Sequence, residues 1–231
     1  MGKDKLRRFK EIQTFPNVIE ARFEEIFNTD HPLKGNWREK IFSNSFPIVI
    51  ELGCGKGEYA VGLASQFPEK NFIGVDIKGN RMWVGAKQAL QMGLKNVLFL
   101  RTRIEFINSF FGEQEIDEIW ITFPDPQEAN SRKNKRLTSS VFLKKYQLFL
   151  KDTAIIHLKT DSRALYQYTL NLIKWNHLKI NECTDDLYKS SLITDNFNTK
   201  TYYEQKFLEQ GSPIHYIQFT LDGKKEIDEP R

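Results

Sequence analysis

The fold is decided by residues 46–57, which read Phe46-Pro47-Ile48-Val49-Ile50-Glu51-Leu52-Gly53-Cys54-Gly55-Lys56-Gly57. The run begins with an apolar segment that predicts a buried strand, and it ends in closely spaced glycines that predict a tight turn. A helical pattern follows, with apolar or small residues at Ala60, Val61, Leu63, Ala64 and Phe67. Strand, glycine turn and helix in this order predict a ligand site, because backbone N–H groups and the positive end of a helix can then approach the ligand.

Strand-like and helix-like segments alternate along the rest of the chain. Strands are predicted at 47–51, 71–75, 96–100, 117–122, 153–159, 178–182 and 213–221. Helices are predicted at 58–67, 79–92, 103–110, 138–150 and 162–175. This alternation predicts an α/β fold, a doubly wound Rossmann-like sheet that is mostly parallel and has helices on both faces. Since no crossover helix is evident between the last two strands, we expect the last strand to be antiparallel.

Length and composition limit the domain organisation and the compartment. The chain has 231 residues and is 40% hydrophobic, which fits one domain with an extension. We expect residues 1–45 to form a basic N-terminal arm with short helices, and residues 46–231 to form a single domain. No apolar run reaches the roughly 20 residues of a membrane span, and no signal peptide is evident. Cys54 and Cys183 lack ligand spacing. We therefore expect a cytoplasmic protein with reduced thiols and no metal, not membrane-bound, as a monomer or homodimer.

Positive charge is concentrated in two short segments. Residues 1–10 hold five Lys or Arg and one Asp, and residues 131–136 carry a net charge of +4. Because the whole chain has a net charge of +4, the remainder is mildly acidic. Two basic clusters on an acidic body indicate a polyanionic partner, although solvated lysine-rich loops are the alternative for each cluster alone.

Two acids, Glu51 and Asp76, fall where the first two predicted strands end. The ligand of a doubly wound sheet binds beyond the carboxyl ends of the strands, at the switch in strand order. An acid at the end of the second strand can accept the ribose hydroxyls of an adenosine, as in sites for NAD and for S-adenosylmethionine. The glycine spacing lacks the pattern that seats a pyrophosphate, and carboxylates attract a sulfonium and an ammonium. The sequence therefore favours S-adenosylmethionine over NAD, with a sheet that binds no cofactor as the remaining alternative.

The fourth predicted strand runs into Phe123-Pro124-Asp125-Pro126, in which two prolines enclose one acid. Each proline fixes its own φ and restricts the preceding residue, so we expect a stiff loop that holds a catalytic carboxylate. The structural alternative is a turn whose aspartate caps a helix. A basic run follows, made of Arg132, Lys133, Lys135 and Arg136. An acid beside such a run is typical of a site that reads a nucleobase and holds phosphates.

With these motifs the chain resembles the bacterial tRNA (guanine-N7-)-methyltransferase family over nearly its whole length. Similar to the family are Lys5-Leu6-Arg7-Arg8-Phe9 with Thr14-Phe15-Pro16-Asn17-Val18, the cofactor loop Ile50 to Gly57, Phe123 to Pro126, Thr160-Asp161, and Thr201-Tyr202-Tyr203-Glu204. The sequence departs from the family at Gln127, where a Trp is usual, and at Ala129, where a Lys is usual. It also has Arg103 where the family often has an acid or Asn beside the adenine.

The resemblance implies methyl transfer from S-adenosylmethionine to N7 of a guanosine in the variable loop of tRNA. It implies that Glu51, Gly53, Gly55 and Asp76 bind the cofactor. Asp125 would lie between cofactor and guanine, both as the catalytic residue and as a further contact of the cofactor. Substrate would be bound by Asp161, Thr201, Glu204, Arg132 and Lys133.

From the residues alone, other interpretations stay open for the tRNA motifs. Asp161 reads equally as a helix N-cap, and Thr201 to Glu204 as the start of a helix. Two other functions also stay open. One is a methyltransferase that acts on another RNA, a protein or a small molecule. The other is a non-enzymatic RNA-binding protein on a methyltransferase fold.

Overall fold

The computed structural model describes residues 2–193, 197, 199–223 and 225–230. The chain divides into two compact units, Met1–Gly112 and Glu113–Arg231. The predicted division into an arm (1–45) and one domain (46–231) stays a prediction. Among the described residues, no helix has both the length and the apolar character that a bilayer crossing requires.

The N-terminal unit is a parallel sheet with flanking helices. Its elements are α1 (Gly2–Ile12), β1 (Val18–Glu20), α2 (Phe23–Ile26), a π-helical turn (Arg38–Phe42), β2 (Ile48–Leu52), α3 (Glu58–Gln66), β3 (Asn71–Asp76), α4 (Gly79–Gln91), β4 (Val97–Arg101) and a 3-10 helix (Ile104–Ser109). The strand order is β1-β4-β3-β2, and every pair is parallel. All five residues of β2 are buried, as its continuous apolar run predicts for a strand covered on both faces.

The register of β2 and β3 brings the two predicted cofactor acids to one edge of this sheet. Glu51 lies opposite Gly74, and Leu52 lies opposite Val75. The glycine loop and Asp76 therefore leave neighbouring strands at the same level. The expectation that both acids mark the carboxyl edge is confirmed.

The C-terminal unit is a mixed sheet. Its elements are β5 (Ile116–Thr122), a 3-10 helix (Asn130–Lys135), α5 (Ser140–Gln147), β6 (Leu150–Thr160), α6 (Arg163–Trp175), β7 (Lys179–Thr184), a 3-10 helix (Leu187–Lys189), α7 (Tyr202–Glu209) and β8 (His215–Thr220). The strand order is β5-β6-β8-β7. Strands β5 and β6 are parallel, and β8 is antiparallel to both β6 and β7. The α/β, Rossmann-like class with an antiparallel last strand is thus confirmed.

Three local expectations were wrong. Strand β1 comes before the strand predicted to be first, and its three residues are too few to show a periodic pattern. A helix, α7, does lie between the last two strands, but Glu204 is its buried residue, so its sequence lacks an apolar stripe. The predicted helix 103–110 is a 3-10 helix over Ile104–Ser109.

Gly57 combines a left-handed backbone with a tight contact, and we predict that Gly57→Ala is strongly destabilising. Gly57 has φ +72°, and a Cβ there would lie 2.4 Å from Cε1 of Phe99. Gly93 is the matched control, because it has φ +68° and nothing within 4 Å of the same position. We expect Gly93→Ala to cost about 1 kcal/mol of the free energy of unfolding, and Gly57→Ala to cost about 1–3 kcal/mol more. Urea denaturation measures both, and equal losses would refute the steric argument.

Candidate active site

The glycine loop after β2 is held at the carboxyl edge by hydrogen bonds to β3. The backbone N–H groups of Gly53 and Cys54 both donate to the carbonyl of Val75, at 2.8 and 3.0 Å. Gly53 and Gly55 have φ values of +78° and +56°. Glycine adopts left-handed conformations of this kind at little cost, so the loop keeps its shape without backbone strain.

Asp76 is organised by backbone donors on both carboxylate oxygens. Gly55 N–H donates to Oδ2 at 2.9 Å, and Lys78 N–H donates to Oδ1 at 2.7 Å. A carboxylate has roughly four acceptor positions, so two remain for donors from a ligand. The side chain is partly buried. Such a carboxylate fits the two adjacent hydroxyls of a ribose.

Glu51 is buried, with 4% of its surface exposed, and has a structural partner that the sequence did not reveal. Its Oε2 accepts from the N–H of Ala60 at 3.0 Å, in the first turn of α3. The carboxylate therefore satisfies a free backbone donor at the positive end of that helix. The carboxylate that the sequence predicted near the loop is therefore present, and its hydrogen bond to α3 fixes its position.

Cys54 is a packing residue. Its thiol is buried. Burial, together with the nearby charges of Glu51 and Asp76, raises the pKa of the thiol far above its ordinary value. A protonated thiol is a poor nucleophile, so Cys54 is not a candidate for covalent chemistry. The loop can contribute to a ligand site through its backbone hydrogen bonds and its shape.

A pocket of about 440 Å³ lies beside the residue that follows Asp76. It is lined by Ile77, Thr102, Arg103 and Phe106, and by residues from 20–26. Its volume falls within the range of small-molecule sites, and its mixed apolar and polar lining suits a flat heteroaromatic ring. The cofactor acids, the glycine loop and this pocket together fit an adenosine-containing cation. The sequence did not predict that residues from 20–26 line this pocket, because β1 and α2 are too short to show a periodic pattern.

The basic N-terminal segment is helical, and it packs on α4. Guanidinium groups of Arg7 and Arg8 lie 5.7 and 4.7 Å from the ring of Trp83, and the ammonium of Lys87 lies 4.6 Å from it. Cation–π contacts of this kind hold the helix while leaving its positive charge at the surface.

Asp125 is exposed on a loop with an unusual backbone. Its Oδ1 accepts from the N–H of Gln127 at 3.1 Å. Phe123 and Gln127 both have positive φ, 48° and 47°. The loop leaves β5 through a hydrogen bond of 2.8 Å from Phe123 N–H to the carbonyl of Lys159 on β6. The carboxylate is accessible, as expected; the stiffness of the loop and its catalytic role stay predictions.

The basic run divides into exposed cations and one buried cation. Arg132 and Lys135 are exposed and Lys133 is partly exposed, so their charges are available to a polyanion. Arg136 is buried, with 7% of its surface exposed. The expectation that the whole run contacts phosphates is therefore wrong for Arg136, whose guanidinium donates to loop carbonyls.

Asp161 follows β6 and is partly buried. The alternative interpretation as a helix N-cap is wrong, because Ser162 caps α6 by accepting from the N–H of Leu165. Burial raises the pKa of Asp161, an effect that its own backbone N–H and nearby His215 partly offset. A desolvated carboxylate beside a strand end is a strong acceptor for a ligand's hydrogen-bond donors.

Thr201 and Glu204 form a capping box at the start of α7. The Thr201 hydroxyl accepts from the N–H of Glu204 at 3.1 Å, and the Glu204 carboxylate accepts from the N–H of Thr201 at 3.4 Å. The interpretation of these residues as a helix start is confirmed. Their predicted contact with guanosine stays a prediction.

Glu204 also belongs to a fully buried ion pair. Its Oε1 lies 2.6 Å from Nζ of Lys159, and both side chains have no exposed surface. The hydroxyl of Tyr188 donates to the same carboxylate oxygen at 2.7 Å. Burial and the adjacent Glu204 charge raise the pKa of Tyr188 above its ordinary value, so the hydroxyl stays a donor. Within the described residues, no group of three His, Cys, Asp or Glu is arranged to hold a metal ion.

Comparisons with known proteins agree with this geometry. Residues 45–217 match a family model described as a putative methyltransferase. A tRNA (guanine-N(7)-)-methyltransferase of Bacteroides thetaiotaomicron is 50% identical over 230 residues, which cover 100% of this chain and 90% of the relative. The protein of that name from Porphyromonas gingivalis is 52% identical over 213 residues, which cover 91% of this chain and 86% of the relative. The crystal structure of the 16S rRNA methyltransferase KamB matches with a TM-score of 0.61 at 13% identity, covering 80% of this chain and 92% of that one, and so shares the fold.

The buried ion pair makes a testable statement about stability. We predict that Lys159→Met lowers the free energy of unfolding by about 3–5 kcal/mol, because it leaves the Glu204 carboxylate buried without its cation. The double variant Lys159→Met with Glu204→Gln should recover much of this loss, since no buried charge remains. The amide oxygen can still accept from the N–H of Thr201, and the amide NH2 can donate to the hydroxyl of Tyr188. Urea denaturation of both variants decides, and a double variant that is less stable than Lys159→Met would contradict the prediction.

The raised pKa of Asp161 predicts a pH-dependent gain from Asp161→Asn. When the folded pKa lies above the ordinary value of 3.8, ionisation costs stability as the pH rises through the folded pKa. Below that window the protonated aspartate and the asparagine should be nearly equivalent. We expect Asp161→Asn to melt at a higher temperature than the unmodified protein at neutral pH, with the difference vanishing in acid. Thermal unfolding across this pH range tests it, and a lower melting temperature at neutral pH would refute it.

Proposed function

Because the chain belongs to the tRNA (guanine-N(7)-)-methyltransferase family, we propose that it transfers a methyl group from S-adenosylmethionine to N7 of a guanosine in tRNA. The observation that carries the proposal is the full-length likeness to enzymes of that name. It favours tRNA over a protein or small-molecule acceptor, and it favours an enzyme over an RNA-binding protein without activity. A guanosine in the variable loop is the expected target, and the cytoplasm is the expected compartment.

The N-terminal unit has the groups that such a cofactor needs. S-adenosylmethionine supplies an electrophilic methyl group on a sulfonium. Asp76 would accept the ribose hydroxyls, and Gly53 and Gly55 would let the chain approach the ligand closely. Glu51 would contribute a buried negative charge that favours a cationic ligand. The purine would occupy the pocket at Ile77, where Arg103 contributes a wall.

Guanine N7 presents an in-plane lone pair, so methyl transfer needs no general base at that atom. The ring becomes cationic as the methyl group arrives. Rate enhancement should therefore come from in-line positioning and from carboxylates that favour positive charge. Asp125 would accept from the guanine N1–H and exocyclic amine, which orients N7 and stabilises the growing charge. The guanine would leave its stacked position to be reached.

The remaining groups of the C-terminal unit would hold the nucleotide. Arg132 and Lys133 are accessible cations suited to phosphates. Asp161 is the stronger candidate for a direct contact with the guanosine, since Glu204 is fully buried in its ion pair. Thr201 and Glu204 would support the site by fixing the start of α7.

The experiment is mass spectrometry of nucleosides from tRNA incubated with the protein and S-adenosylmethionine. We expect 7-methylguanosine from the unmodified protein. Asp125→Asn should lower kcat by about 100- to 1,000-fold, because it keeps the acceptor for Gln127 N–H but removes the charge. Asp125→Ala removes both and should be at least as slow.

Cofactor binding provides the control for this series. Calorimetric titration with S-adenosylmethionine should give similar affinities for the unmodified protein and both Asp125 variants. Absence of 7-methylguanosine from folded, cofactor-bound protein would refute the proposed function. Near-normal turnover by Asp125→Asn would remove Asp125 from the catalytic role and leave the function standing.

A further inference from the structure

Arg136 differs from the other cations of its run in burial and in partners. Its guanidinium donates to three successive carbonyls of the acceptor loop: from Nε to Pro126 and Gln127, both at 3.2 Å, and from the terminal nitrogen to Gln127 at 3.1 Å and Glu128 at 3.3 Å. A planar guanidinium offers several donors in a fixed fork, which an ammonium does not. The loop behind Asp125 is therefore shaped by one side chain that lies eight to ten residues further along the chain.

The guanidinium is itself supported from α6. Its central carbon lies 4.2 Å from the ring centroid of Tyr168, in a cation–π contact. The hydroxyl of Tyr168 donates to Oε1 of Glu229. The other oxygen of Glu229 accepts from the N–H of Ser140, at the start of α5, at 3.2 Å. Arg136, Tyr168 and Glu229 thus form a continuous chain of contacts from the loop to the C-terminal tail.

The tail around Glu229 is anchored, so it can serve as a fixed point. Ile227 is fully buried. Asn176 makes two hydrogen bonds with the backbone of Asp228: it donates to the carbonyl at 2.8 Å and accepts from the N–H at 2.7 Å. Gln147 donates to the carbonyl of Lys225 at 2.7 Å. These contacts come from the last residue of α5 and from the residue that follows α6.

The charge of Glu229 is maintained by its partners. Burial alone would raise the pKa of this carboxyl, but hydrogen bonds from Tyr168 and Ser140, together with the nearby Lys133 charge, hold it below its ordinary value. An ionised carboxylate is a stronger acceptor for the Tyr168 hydroxyl than a neutral one.

The loop needs such a support because its backbone is strained without glycine. Phe123 and Gln127 take left-handed φ values that side chains disfavour. Conformations of this kind persist when the surroundings determine them. The carbonyl clamp opposes relaxation of residues 126–128, which follow Asp125 directly.

We propose that Arg136, Tyr168 and Glu229 are positioning residues, through which the C-terminal tail sets the conformation of the Asp125 loop for methyl transfer. The inference rests on the proposed function of that loop. None of the three contacts substrate in this proposal, and Arg136 is not a phosphate contact. Its guanidinium donates to the loop carbonyls and makes a cation–π contact with the Tyr168 ring.

Salt dependence distinguishes a loop clamp from a phosphate contact. Arg136→Lys keeps the charge but loses the fork, and Arg136→Gln loses both. Arg132→Gln is the matched control from the same run. We expect Arg132→Gln to weaken tRNA binding and to reduce the slope of log affinity against log salt by about one. Arg136→Gln should leave that slope unchanged, and both Arg136 variants should lower kcat by about tenfold or more, as expected when a reacting group is misplaced.

Two milder variants test the tail without removing the clamp. Tyr168→Phe keeps the ring under the guanidinium and loses the hydrogen bond to Glu229, and Glu229→Gln keeps an acceptor but loses the charge. Each should lower kcat by severalfold while the KM for tRNA and the melting temperature change little. A general loss of structure would instead lower the melting temperature and kcat/KM together.

Hydrogen exchange of the folded, full-length protein supplies a readout that does not need activity. The peptide that covers residues 123–129 should exchange faster in Arg136→Lys, Tyr168→Phe and Glu229→Gln than in the unmodified protein, and at an unchanged rate in Arg132→Gln. If the unmodified protein forms no 7-methylguanosine, the proposed function fails, and the exchange rates still decide whether the tail positions the loop. Unchanged exchange in the tail variants, or a salt slope that falls by one in Arg136→Gln, would overturn the proposal.

Discussion

The buried ion pair between Lys159 and Glu204 is the contact on which the C-terminal unit depends. Both groups are removed from water, at a cost that is offset only if they remain paired and their other hydrogen bonds are made. The hydroxyl of Tyr188 and the N–H of Thr201 donate the other hydrogen bonds to the Glu204 carboxylate, and these bonds fix the start of α7. The carbonyl of Lys159 receives the N–H of Phe123, so the same residue fixes the exit of the acceptor loop. The strand that carries Lys159 ends one residue before Asp161.

Exposure separates the carboxylates that support the fold from those that remain open to a ligand. Glu204 has no exposed surface, and Glu51 has 4%. Both accept from backbone N–H groups at the start of a helix, which have no partner within the helix itself. These two carboxylates therefore stabilise the fold. Asp76 is partly exposed and Asp125 is exposed. Each of these two accepts backbone donors that fix its orientation and retains acceptor positions, an arrangement that serves binding.

The sequence predicted the parts of the molecule that depend on local patterns. Apolar runs gave the strands from β2 to β8, and the glycines gave the cofactor loop, because each signal lies within a few residues of the structure it determines. The same approach missed β1, which has only three residues, and α7, whose buried residue is Glu204. It also assigned Arg136 to phosphates, because a run of cations does not show that one member turns inward to carbonyls. Contacts such as Tyr168 with Glu229 join residues 61 positions apart, and no local pattern records them.

The cofactor loop and the acceptor loop are stabilised by different means. Gly53 and Gly55 in the cofactor loop adopt left-handed conformations at little cost, so the shape depends on residue identity at those positions. In the acceptor loop Phe123 and Gln127 adopt such conformations with side chains present, so the shape must come from contacts made elsewhere. Near Gln127 these contacts are made by Arg136 to the carbonyls of residues 126–128, and at Phe123 the N–H donates to the carbonyl of Lys159. Because this clamp acts on the backbone, the conformation of the loop that carries Asp125 does not depend on the side chain of Gln127.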